Sequence, residues 1–369
     1  MKSPLTFIHK TSIIGFLLSM LVCFPLWHGF REFPCIPVFD IFENVLPIIG
    51  SIVLGVLLLS LVASLFIKNQ KVFTPIILLS YFVLILFDVN RFRPEFYFFA
   101  LVLLIVYLSE TKKVNEADMF LMLRILVSAV YIFAGLNKLS DSFLPNLYEP
   151  IIRPLQQVLS KPFYKLFMSM SILVPLVEVF LGIGLWVPKL KNLTWKISIA
   201  LHAAVLILLI THNFNYSVYA WNIAMVLLSY ILCKKSIEGK VMDRVKQSTY
   251  LKIAVFQLVL IPSTHFVGLA DSKVSFDVYS GKYAYTYVYL NPRMYTLLPE
   301  HLQKCSVRLD AEHDDYKLFI DIWAEREMKA SIYHEDWALV KYKKYFEKYS
   351  ESQPVKIVAL KNNKEELIE

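Results

Sequence analysis

ENVLPIIGSIVLGVLLLSLVASLFI, residues 43–67, is the stretch that decides the fold. Beyond Glu43 it holds no ionisable side chain, and about 20 apolar residues suffice to cross a bilayer core as a helix. In hydrocarbon every backbone N–H and C=O must be paired within the segment, so a run like this is helical. Apolar runs of the same kind fall near residues 11–30, 71–88, 95–109, 117–137, 163–187, 195–211, 217–233 and 250–268. Together they predict a polytopic membrane bundle of about nine helices over residues 1–269.

Composition agrees. Hydrophobic residues make up 57% of the 369 positions and charged residues 18%, against about 45–50% and about 25% in soluble chains. The net charge of +8 is spread over short loops and the C-terminal tail, with no basic patch interleaved with stacking aromatics, so nucleic acid is disfavoured as a partner. Met1 to Trp27 begins like a secretory signal, but Pro25 and Trp27 stand where small residues would precede cleavage. The segment reads as a retained first helix.

Loop charge sets the expected orientation. Lys2 and Lys10, Lys68 and Lys71, Lys112 and Lys113, Lys189, Lys191 and Lys196, and Lys234, Lys235, Lys240, Arg244 and Lys246 fall on one side. They outnumber Arg31, Arg91, Arg93, Arg153, Lys161 and Lys165 on the other. The excess of positive charge places the N-terminus in the cytoplasm, and a bacterial inner membrane is the setting expected. Nine crossings then leave residues 270–369 outside as a small α+β domain. Strands are expected at Val274–Tyr279, Tyr283–Leu290, Lys317–Trp323 and Val355–Leu360, with Ser280-Gly281 as a turn and a lysine-rich helix over 332–349. The proline-rich interval 139–162 reads as a long loop with a short amphipathic helix at the interface.

Ionisable residues inside apolar runs are costly and mark function or pairing. Arg124, Tyr131 and Lys138 lie seven apart and share one helix face. Glu178 and His202 sit within later helices; Asp88 and Glu95 flank a turn, and His212, Asn213 and Asn215 occupy another. Lys138, Asp88, Glu95 and the His212 turn fall at the same membrane face, which suggests a polar pocket under the outer leaflet. Plainer roles are open for each: Lys138 snorkelling to headgroups, Glu178 and Arg124 neutralising each other or bonding to neighbouring helices, His202 packed and hydrogen-bonded, His212 and the asparagines capping helices. The Glu312-His313-Asp314-Asp315 run reads as a solvated turn rather than a cation site. Cys35 and Cys305 share the outer side and could bridge; no metal-binding cysteine or histidine spacing occurs.

Four of these strings resemble the vitamin K-dependent gamma-carboxylase family and its bacterial relatives with a horizontally transferred transmembrane (HTTM) domain. Tyr131-Ile-Phe-Ala-Gly-Leu-Asn-Lys138-Leu resembles the family's Y-x-x-A-G-x-x-K-L segment, and Asp88 to Tyr97 its D-x-x-x-[WF]…Y segment. Glu178-x-x-x-Gly182 resembles a later acidic-x-x-x-Gly element, and His212 to Ser217 an H-x-x-N-S turn. Order and spacing agree over residues 30–230. The resemblance implies Lys138 as the base that deprotonates a reduced isoprenoid quinone, and His212 and Asn215 as partners of the quinone oxygens. Asp88 or Glu178 would orient the lysine; Tyr131, Glu95 and Arg124 would line the site. Glu95 stands where the carboxylases carry a histidine, and their large lumenal domain has no counterpart here. The competing expectation is a non-catalytic scaffold or carrier-binding bundle resembling DoxX-type proteins.

Overall fold

A computed structural model of the protein describes residues 4–67, 70–212, 215–237, 239–309, 315–351 and 353–368, apart from the side chains of Gln70 and Ala284. Lys2, Lys68, Asn213 and the Glu312-His313-Asp314 run lie outside the described residues.

Among the described residues each of the nine apolar runs is helical. Seven of these helices are long and apolar enough to cross a membrane: α1 (Pro4–Val22), α2 (Pro47–Phe66), α5 (Glu116–Lys138), α6 (Lys161–Gly184), α7 (Lys191–Thr211), α8 (Tyr216–Lys234) and α9 (Thr249–Val267). Two shorter ones, α3 (Gln70–Phe87) and α4 (Pro94–Glu110), lie between α2 and α5. The chain is compatible with a multi-pass membrane protein. Leu59, Phe66, Leu79, Ile207 and Ile253 are large, apolar and exposed, as side chains facing lipid are. The first helix ends eight residues earlier than expected, at Val22, and a separate short turn covers Phe24–Trp27. Pro25 accounts for the break, since its ring clashes with the preceding turn and it has no N–H to donate.

The chain divides into two compact units. One comprises residues 1–22, 56–79 and 93–280; the other 23–55, 80–92 and 281–369. Helix α5 is the core of the first. The Asn115 side chain caps it by accepting from the Asp118 N–H at 2.8 Å, and Glu116 and Asp118 suit the positive end of its dipole. It is buried along nearly its whole length and packs most closely against α6. Glycines permit that approach. A Cβ on Gly135 would come within 2.7 Å of the Pro175 carbonyl oxygen, and one on Gly182 within 2.5 Å of Ile132 Cγ1. Small residues at the crossing let the two backbones meet.

The second unit carries a five-stranded antiparallel sheet in the order β2-β3-β1-β4-β5. Its strands are β1 (Tyr283–Leu290), β2 (Ser306–Arg308), β3 (Tyr316–Phe319), β4 (Lys356–Lys361) and β5 (Lys364–Ile368). Helices α10 (Ile320–Met328) and α11 (Asp336–Glu347) complete it. The strand expected at Lys317–Trp323 stops at Phe319. From there the buried residues Ile320, Trp323, Ala324 and Met328 recur at helical spacing. The strand expected at Val274–Tyr279 is absent: Phe276 (φ 51) and Tyr279 (φ 56) are left-handed, which an extended strand excludes. Phe33 packs against Trp323 and Tyr342 at centroid distances of 4.4 and 5.6 Å. Asn90 Oδ1 accepts from the Tyr333 N–H and the Tyr342 hydroxyl, each at 2.9 Å. Cys35 and Cys305 are both free thiols, and Cys305 Sγ lies 3.5 Å from Arg326 Nη1.

Candidate functional site

Lys138 closes the last turn of α5. Its ammonium donates to both oxygens of Glu178 on α6, at 2.8 and 3.1 Å, and to the Ala134 carbonyl at 3.2 Å. The two side chains are only 5% and 14% exposed, so this is a buried ion pair. The glycine-mediated approach of α5 and α6 makes it possible, and a hydroxyl reinforces that contact. Ser128 donates to the Gly182 carbonyl at 3.0 Å and accepts from the Trp186 indole N–H at 2.8 Å.

Lys138 and Glu178 border a cavity of about 200 Å³ formed by α5, α6, α7, α8 and the helical turns of residues 143–152. Its walls are mainly apolar, including Val130, Ala134, Leu147, Leu201, Val205, Leu209 and Met225. A second polar group faces it, built on Tyr131, His202 and Asn222. Tyr131 Oη lies 2.8 Å from His202 Nε2, 2.9 Å from Ser198 Oγ and 3.3 Å from Ser229 Oγ. His202 Nδ1 lies 2.7 Å from Asn222 Oδ1. The Asn222 amide donates to the Val218 carbonyl at 2.9 Å, so Oδ1 is an acceptor and His202 Nδ1 must carry the proton. Nε2 of the neutral ring then accepts from Tyr131, and the serine hydroxyls donate to the phenol oxygen. The relay has a defined direction.

The other expected residues have different places. His212 does not line the cavity; its Nε2 donates to the Ile151 carbonyl at 2.6 Å and thereby ties a wall segment to the end of α7. Asn215, left-handed at φ 47, belongs to a second cluster. Its amide donates to the hydroxyl of Tyr279, a cavity-lining residue, at 2.6 Å, and its Oδ1 accepts from Arg93 at 3.0 Å. Arg93 also pairs with Glu95 at 2.6 Å, and Ser217 donates to Glu95 at 2.6 Å. Asp88 lies in the other unit. There its carboxylate is paired with Arg31 and accepts from the Ile36 N–H at 3.2 Å and the Asn90 amide at 3.0 Å. Arg124 does not meet Glu178. It donates instead to the Leu232 and Lys235 carbonyls, at 2.7 and 2.9 Å.

His202 is packed and hydrogen-bonded, one of its two expected roles; Ser198, Asn222, Ser229 and Tyr279 are residues that the sequence does not single out. A signal was present: Ser198 and His202 are one turn apart, and Asn222 and Ser229 two turns apart, within apolar helices. Among the described residues the His, Cys and carboxylate group that could hold a metal is Glu32, His301 and Glu327, in the second unit. There His301 turns Nδ1 to Glu32 (3.4 Å) and Nε2 to Glu327 (3.9 Å). One ligand atom from each of the three lies within 4.8 Å of the others. No family model, curated protein or solved structure matches the chain.

Proposed function

We propose that the chain is a multi-pass inner-membrane protein whose cavity binds the ring of a lipid-soluble carrier of the quinol type. One observation carries the reading: a mainly apolar hollow within the bundle presents two separate polar groups, the Lys138–Glu178 pair and the Tyr131–His202–Asn222 relay. Ligand sites are apolar with a few placed polar groups. A hollow of about 200 Å³ is of the size of one substituted ring, with an isoprenoid tail left in lipid. The residues present suit such a group: the Lys138–Glu178 pair can meet a ring hydroxyl on one side, and the Tyr131–His202–Asn222 wall borders the ring on the other. When bound, a quinol supplies an acidic hydroxyl and reducing electrons.

On this reading Lys138 accepts a proton from the ring hydroxyl after passing its own to Glu178. Tyr131, His202 and Asn222 wall the other side of the hollow, and their hydrogen bonds to one another hold that wall rigid for the ring to pack against. The lysine-rich loops support a cytoplasmic N-terminus, and an odd number of crossings, seven or nine, carries the C-terminal sheet to the opposite side.

One observation favours a second reading, a carrier-binding bundle without chemistry. All three donors of the Lys138 ammonium are already engaged by Glu178 and Ala134. Mass spectrometry of quinones extracted from purified wild type and Lys138→Ala protein tests the proposal. Wild type enriched in quinone and the variant depleted is the expected result; protein without quinone in both removes the carrier reading. Oxidation of added quinol to quinone in air, with dioxygen as the two-electron acceptor, by wild type but not by Lys138→Ala separates the enzymatic form from the binding one.

A further inference from the structure

The other end of α5 holds a different cleft, of about 350 Å³, and its lining is basic. Arg124, Lys234, Lys235 and Arg244 face it against a single lining carboxylate, Glu116. Arg244 is paired with Asp118 and Lys235 with Glu116, the latter at 3.1 Å in an exposed pair. Arg124 and Lys234 have no carboxylate partner among the described residues.

Arg124 is the informative member. Its residue is 2% exposed, and it stands eight positions inside α5, about 12 Å along the axis from Glu116. Its compensation is partial. Nη2 holds two carbonyls at the C-terminus of α8, where the helix dipole amounts to roughly half a negative charge. Nε is buried with no hydrogen-bond partner. Nη1 has no hydrogen-bond partner among the described residues, and the Trp186 ring centre lies 5.9 Å from the guanidinium carbon. A guanidinium so placed carries uncompensated positive charge into the cleft, and leaving it without a counter-ion is costly.

The cleft sits where two apolar, membrane-length helices terminate, the start of α5 and the end of α8, which is headgroup depth. Phe120 and Leu121 add an apolar side to it. Basic pockets between membrane helices are sites for anionic headgroups. We infer that this cleft binds a phosphate-bearing anion, supplied by the headgroup of an anionic phospholipid, with Arg124 as the buried anchor and Lys234 and Lys235 at the rim. The inference is independent of the carrier cavity.

Native mass spectrometry of the detergent-purified protein, titrated with phosphatidylglycerol or phosphatidylcholine, tests it. Phosphatidylglycerol should bind at least about fivefold tighter, and Lys234→Gln with Lys235→Gln should remove most of that preference, at about fivefold per lysine. The rim lysines give up only an exposed ion pair to Glu116 and ring contacts to Phe120 and Tyr230, at 4.5 and 5.6 Å, each worth about 1 kcal/mol or less at such sites, so the double variant keeps its fold. Arg124→Gln should abolish the preference, and if it fails to fold the rim variant decides. Inorganic phosphate at millimolar concentration serves as the soluble competitor. Lipid that resists it supports a headgroup site, and lipid displaced by it supports the same phosphate chemistry with a soluble source. Equal binding of the two lipids, or a preference untouched in the rim variant, overturns the inference.

Discussion

Replacing Glu178 with glutamine should be among the most damaging single changes in the bundle. The amide keeps the shape of the carboxylate but leaves the Lys138 ammonium with a neutral oxygen and the Ala134 carbonyl at 3.2 Å. The exposures of 5% and 14% decide which regime applies. A solvated pair would be worth about 0–1 kcal/mol, whereas removing one partner of a buried pair costs about 3–5 kcal/mol. At about 2–4 °C per kcal/mol for a unit of this size, the thermal midpoint in mild detergent should fall by roughly 6–20 °C. Lys138→Met should cost a similar amount. The double variant Lys138→Met with Glu178→Leu removes both charges together, and should recover most of the loss, since apolar replacements of a buried pair are often neutral. The non-additivity is the signature. Single variants within about 1 kcal/mol of wild type, or a double variant as unstable as the two singles summed, would show that the charges are solvated and do not form the proposed pair.

Tyr131→Phe removes the donor to His202 Nε2 and the acceptor of the Ser198 hydroxyl, and should cost about 1–3 kcal/mol. In wild type, nitrogen-15 NMR of labelled histidine should show His202 as the Nδ1–H tautomer; an Nε2–H ring would reverse the derived relay. Gly135→Ala places a Cβ about 2.7 Å from the Pro175 backbone oxygen and should destabilise by about 1–3 kcal/mol in thermal unfolding. Gly50→Ala, with nothing within 4 Å, should be neutral or gain up to about 1 kcal/mol in the same measurement. Tyr342 has its phenol pushed well above the ordinary value of 10.0 by burial, with the nearby Asp88 charge adding to it. Below that ordinary value the phenol is neutral in both states; above it the unfolded chain ionises first, so stability falls as pH rises past about 10. Phenolate absorbance should show this group titrating later than exposed tyrosines, and Tyr342→Phe should flatten the alkaline loss; an unchanged alkaline limb would assign it elsewhere.

The apolar runs and their breaks were legible from the chain alone, because a membrane-length helix needs only local information: a long absence of charge and a pairing rule that its own backbone satisfies. Residues 43–67 illustrate this, and so does Lys138, conspicuous at the end of such a run. Its partner was legible only through the resemblance, and there as either of two carboxylates, Asp88 or Glu178. Glu178 lies forty positions away, and the contact depends on Gly135 and Gly182 letting two helices touch. The imidazole on the cavity is that of His202, although His212 stood in the more suggestive string, because side chains from α7 and α8 converge only after packing. The same distinction separates Tyr283–Leu290, whose alternation reads directly as a strand, from Val274–Tyr279, whose β-rich composition yields to two left-handed residues. Local periodicity determined the helices; the polar pairings were decided by tertiary packing, since a charge in a low-dielectric interior is stabilised by whichever opposite group the backbone brings within about 3 Å, wherever that group lies in the chain.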